Sequence, residues 1–270
     1  MNSKSTKIFL YLPTMALGYG CMLLQDHILA HGYDEKGLLV TNNPAFWIQW
    51  IVTGVFLLTV LLLLPKLGEP GTYRMNFPKC AYSGGAMIAA GVLMAFCGIN
   101  EMVPGAGVII PLAGLAVSGV MVLCGLLRIM GRKPVWALDL LISMYYAAHL
   151  MKSYRTWNAD PQLQRYAFQL LAGVAVMLFS LHRARCAQGL IDRRRLVFSG
   201  FAGIYLCFTA VSGAESPLFF AASALWCAGG MCELKRFRKK RKSAEIEPDV
   251  ASGGSIEFTE ASEPESEPEI

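Results

Sequence analysis

Asp26, His27, Glu101, His149 and Arg155 are the residues of this chain best suited to chemistry. Two carboxylates, two imidazoles and a guanidinium can exchange protons or grip a small polar ligand once they share a site. Each stands at or just beyond the end of a long apolar run. Asp26 and His27 close the first run, Glu101 follows the third, and His149 and Arg155 close the fifth. Antiparallel helices would bring all five to one end, so they form a candidate ligand or proton site. The competing reading places each group separately at the headgroup level, where water satisfies it.

Two further polar groups lie within apolar runs. Asp139 comes five residues after Pro134, about 7 Å into its helix at a rise of about 1.5 Å per residue. It is expected to pair with Arg128 or Arg132. Gln169 sits inside the sixth run and is expected to hydrogen-bond a neighbouring helix. Ionisable groups at such depth are costly and mark functional candidates by default.

The elements that must position these residues are helices. The chain has 270 residues, 54% apolar and 16% charged, and the charges are segregated. Several apolar runs reach the roughly 20 residues that cross a bilayer. Eight are expected, near residues 8–30, 44–64, 80–99, 107–127, 134–152, 161–182, 196–211 and 217–233. Lys4 and Lys7 precede the first run as in a signal peptide, but no small-x-small cleavage site follows, so it reads as an uncleaved helix. Three of the four re-entry points carry a polar residue and proline, Asn43-Pro44, Asp160-Pro161 and Ser216-Pro217, a cap with proline at the first helical position. The third segment is rich in small residues (Gly84, Gly85, Ala89, Ala90, Gly91), which lets helix backbones approach closely in lipid.

Lysine and arginine alternate between the connections. Twenty fall on the side of the N-terminus, among them Arg128, Arg183, the Arg193–Arg195 triplet and the Lys235–Lys242 run, against four (Lys36, Lys152, Arg155, Arg165) on the other. By the positive-inside rule this orients both termini to the cytoplasm. The expected fold is therefore all-α, an integral membrane bundle of eight transmembrane helices over residues 1–234. Residues 235–270 form a disordered cytoplasmic tail, first basic, then acidic with nine acids and no base after Lys242. The net charge of +5 hides this opposition. The basic face suits anionic lipid rather than nucleic acid, and no protein partner can be named.

The eight cysteines contain no Cys-x-x-Cys and fall mostly in apolar runs, where they act as small hydrophobes. No metal site, cofactor motif, phosphate loop or nucleophile elbow is present, so no enzyme class is indicated. Transport or small-ligand binding through the bundle is the leading function. A membrane anchor acting through its tail is the alternative. A redox subunit is weaker still, because His27 and His149 lie at one end and His182 at the other.

The block Trp157-Asn-Ala-Asp160-Pro161-Gln-Leu163-Gln-Arg-Tyr166-Ala-Phe168-Gln169-Leu170-Leu171-Ala172 resembles one in uncharacterised multi-pass membrane proteins of anaerobic Gram-positive bacteria. The resemblance covers the fifth-to-sixth hairpin and, loosely, the helices around it. It implies a bacterial cell-membrane location and no particular activity.

Overall fold

The computed structural model describes residues 5–33, 44–64, 80–102, 109–132, 135–157, 166–190 and 192–232, with residues 5–12 described as backbone only. The described part is all-helical. It comprises α1 (Ser5–His31), α2 (Pro44–Leu63), α3 (Ala81–Asn100), α4 (Ile109–Ile129), α5 (Trp136–Trp157), α6 (Ala167–Ala187), α7 (Arg193–Val211) and α8 (Pro217–Cys232). Five of these, α2, α3, α4, α6 and α7, are long and apolar enough to cross a membrane. α8 is apolar but has 16 residues, while α1 and α5, with 27 and 22, carry more polar side chains.

Consecutive helices run antiparallel. Gly84 of α3 meets Gly125 of α4, Ser143 of α5 bonds the Met177 carbonyl of α6, and Gly200 of α7 lies against both Phe179 of α6 and Met231 of α8. α7 is the centre. Nearly all of it is buried, and it packs on α6, α8, α1 and α2. We call the end where α7 begins the basic end, and the other the far end. Large apolar side chains point outward on the peripheral helices, including Ile51, Leu58 and Leu62 of α2, Leu112 of α4 and Met144 of α5. Polar side chains point inward. This is the reverse of a soluble bundle, whose exposed faces are polar.

The small residues foreseen in α3 act as a zipper of heptad spacing. Gly84, Gly91 and Gly98 face Gly125, Ser118 and Pro111 of α4 in turn. A Cβ on Gly84 would stand 2.7 Å from the Gly125 carbonyl oxygen, and one on Gly91 would stand 2.8 Å from that of Ser118. Backbone meets backbone here, so close dispersion contacts hold the pair.

Several boundaries differ from expectation. α5 continues to Trp157, five residues past the expected end. α6 begins at Ala167 among the described residues, so Gln169 stands in its first turn, not deep within it. The expected Asp160-Pro161 cap and helix start lie outside the described residues, as does the expected tail, residues 235–270. α7 starts three residues earlier than expected, because Asp192 accepts a hydrogen bond from the Arg195 backbone N–H at 3.3 Å and caps it. The three arginines read as a loop are thus its first turn. In the same way Arg128 falls in the last turn of α4, and α6 carries Arg183 and Arg185 before ending at Ala187.

Candidate functional site

The five residues expected at one site divide between two groups of helices. Glu101 and His149 belong to the far ends of α3, α5 and α8. Asp26 and His27 belong to α1, which packs on α7 and α2. Asp26 is exposed and accepts a hydrogen bond from the Ser212 hydroxyl beyond α7. His27 is exposed and stacks on His31 of its own helix, with ring centres 4.8 Å apart. Arg155 is exposed in the last turn of α5.

The α3–α5–α8 group is the more developed. Glu101 closes α3, its backbone N–H bonding the Cys97 carbonyl at 3.0 Å. Its half-buried carboxyl is hydrogen-bonded by Ser216, at the start of α8. Cys97 Sγ lies 3.0 Å from the same Ser216 hydroxyl. From α5, Tyr145 directs its hydroxyl to Gly114 of α4, within electrostatic reach of Glu101 and Cys97. One turn further out, His149 lies flat on Phe219 of α8, at 4.3 Å and 14°, with Ser153 Oγ 3.4 Å from Nδ1. Only aromatic stacking and register put His149 beside this group.

Burial pushes the Glu101 carboxyl above its usual range; Lys152 and Ser216 oppose that rise and Glu215 adds to it. A carboxyl raised on folding favours the fold at low pH. Its contribution declines as pH climbs from about 4.5 through the raised value. Glu101→Gln is therefore expected to flatten the fall in thermal stability between pH 4.5 and 7, measured on purified protein. An unchanged pH profile would show that water solvates the carboxyl fully.

The opposite end holds Asp139, singled out in the sequence, with partners that the sequence did not single out. Asp139 is fully buried, and its Oδ2 lies 3.5 Å from Nε of Arg183, itself 3% exposed. This partner on α6 was not among the expected ones, Arg128 and Arg132. The Arg183 guanidinium also lies 4.7 Å over the Trp226 ring, and Nη1 reaches Met87 Sδ at 3.4 Å. Trp226 Nε1 in turn donates to Ser180 at 3.1 Å. Arg128 and Arg193 are buried at this end as well. One aspartate, one arginine and one tryptophan thus tie α5, α6, α8 and α3 together.

A signal for these charges existed. On α6 the buried row Ala172, Val176, Phe179 continues at the same three-four spacing to Arg183. On α4 the row Val117, Met121, Cys124 continues to Arg128. Charge type had assigned them to loops, where helical spacing would have placed them in the core.

No known family, curated protein or solved structure matches the chain. All eight cysteines are free thiols, and no group of three or more potential metal ligands occurs among the described residues. Gln169 Nε2 donates to the Gly213 carbonyl at 3.1 Å and fastens α6 to the turn after α7. His182, at the basic end of α6, bonds the Leu178 carbonyl of its own helix at 2.6 Å.

Proposed function

We propose that this chain is an integral membrane protein whose eight helices all cross the bilayer, with both termini cytoplasmic, and that the bundle binds or moves a small polar solute. A bacterial cell membrane with anionic lipid at the cytoplasmic face is the proposed location, on the resemblance of the 157–172 block and the basic loops. Apolar outward faces and polar inward ones support the membrane reading. The observation that carries the solute reading is the far-end group. Glu101, Ser216, Tyr145 and His149 converge there from α3, α5 and α8, ending beside Lys152 and Glu215 at the surface. A titratable carboxyl, a hydroxyl and an imidazole at such a mouth suit recognition of a polar solute or exchange of a proton with it.

Orientation is tested by single-cysteine labelling in a cysteine-free background. A cysteine at Arg155, exposed at the far end of α5, should react with an impermeant maleimide in intact cells. One at Gln188, exposed beyond α6, should react only after lysis. The opposite result would sink the proposed orientation. For the solute reading, thermal shifts of purified protein are compared across amines, amino acids and small acids. A stabilising solute should lose its effect in both Glu101→Gln and His149→Ala. A stabilisation that survives both changes would move the site elsewhere.

A further inference from the structure

Gln49 of α2 is fully buried, and neither its Nε2 nor its Oε1 has a hydrogen-bond partner among the described residues. A buried amide left unpaired is costly, and more so in hydrocarbon, where water cannot reach it. Its surroundings follow from register. One turn toward the basic end, the Tyr205 hydroxyl of α7 lies 2.8 Å from Thr53 Oγ1 of α2 and 3.1 Å from Cys21 Sγ of α1. Gln49 stands one turn from Thr53, Gln25 one turn from Cys21, and Thr209 one turn from Tyr205, all toward the far end. All three are buried. Two amides and a hydroxyl from α1, α2 and α7 therefore share one level. Thr209 Oγ1 donates to its own Tyr205 carbonyl at 3.1 Å and is also hydrogen-bonded with the Tyr205 side chain, so that hydroxyl is the least available of the three.

We infer that this level holds a small uncharged guest bearing adjacent hydrogen-bond donor and acceptor groups, with the Gln49 amide as its principal contact. The neutral ligand set selects against ions: the acidic residue at this seam, Asp26, directly follows Gln25 but is exposed, whereas Gln25 is buried, and it is engaged by Ser212. An amide needs a partner offering both a donor and an acceptor, and carboxamides or hydroxy-esters present that pair. Gln49 lies roughly 8 Å along α2 from Pro44, so the guest can arrive from water or sideways from lipid. Sideways entry would require α2 to shift, since Trp50 and Phe56 pack it against Phe168 and Tyr205. The inference rests on the bundle lying in a bilayer, not on the far-end group binding anything.

The experiment is a thermal-shift series on purified full-length protein in detergent. The probes are acetamide, delivered from water, and monoolein, delivered in the micelle, with acetate and tetramethylammonium as charged controls. At least one neutral probe should raise the midpoint of the unaltered protein, the ions should not, and Gln49→Met should abolish the rise. Which probe acts identifies the side of entry. Without probe, Gln49→Met should itself melt about 2–4 °C higher, because it removes an unpaired amide at nearly constant volume. Gln49→Leu serves if the Met variant does not fold. No neutral-probe shift, a shift equally large for the ions, or a shift retained in Gln49→Met overturns the inference. So does a lower midpoint for Gln49→Met, or non-additivity with Gln25→Met, which would mean that the two amides satisfy each other. A chain that labels as membrane-spanning yet fails here refutes the guest alone.

Discussion

Asp139→Ala is expected to destabilise the bundle by about 3–5 kcal/mol, the largest effect of any single change at a polar residue here. It would strip a counter-charge from Arg183, whose guanidinium is held among α6, α8 and α3 by Trp226 and Met87. A guanidinium this deeply buried cannot regain water without pulling these helices apart. Replacing both partners together, Asp139→Leu with Arg183→Met, should recover most of the loss, because desolvation of the pair largely cancels its attraction. Denaturant unfolding of the purified variants in micelles measures both. A single-variant loss below about 1 kcal/mol, the range of exposed pairs, would show that water reaches this charge.

The second large effect is steric. Gly91→Ala should cost about 1–3 kcal/mol, as overpacking does elsewhere. Its Cβ would meet the Ser118 carbonyl oxygen at 2.8 Å and the Val122 backbone nitrogen at 3.0 Å. Backbone atoms cannot swing aside, so α3 and α4 must separate along their length. Gly85→Ala on the same helix is the control. Nothing lies within 4 Å of its Cβ position, so the change should be neutral or gain up to about 1 kcal/mol of helix propensity. Equal behaviour of the two variants in the same unfolding measurement would contradict the close approach.

The two glycines also show what could be read in advance. The richness of α3 in small residues was visible, and so was its meaning for packing. Which glycine faces α4 was not, since composition carries no azimuth. The heptad of Gly84, Gly91 and Gly98 would have supplied it. The candidate site was legible in part. Glu101 and His149 do belong to one group of helix ends, through depth alone. Asp26 and His27 share their level but lie on α1, against α7. Depth is one coordinate, and a bundle needs two more.

By itself the sequence determined the all-helical class and the order of the eight helices among the described residues. These follow from local quantities: the length of each apolar run, the breaks between runs and the short connections. The tertiary structure alone decided that α7 is the centre, that Arg183 turns inward to Asp139 and Trp226, and that Gln49 is buried within the bundle. The physical reason is that hydropathy sets where a segment ends, whereas its neighbours depend on side chains meeting across helices distant in sequence. Cys21 and Tyr205, 184 residues apart, meet over one hydroxyl that also holds Thr53. No pattern local to either helix encodes that contact.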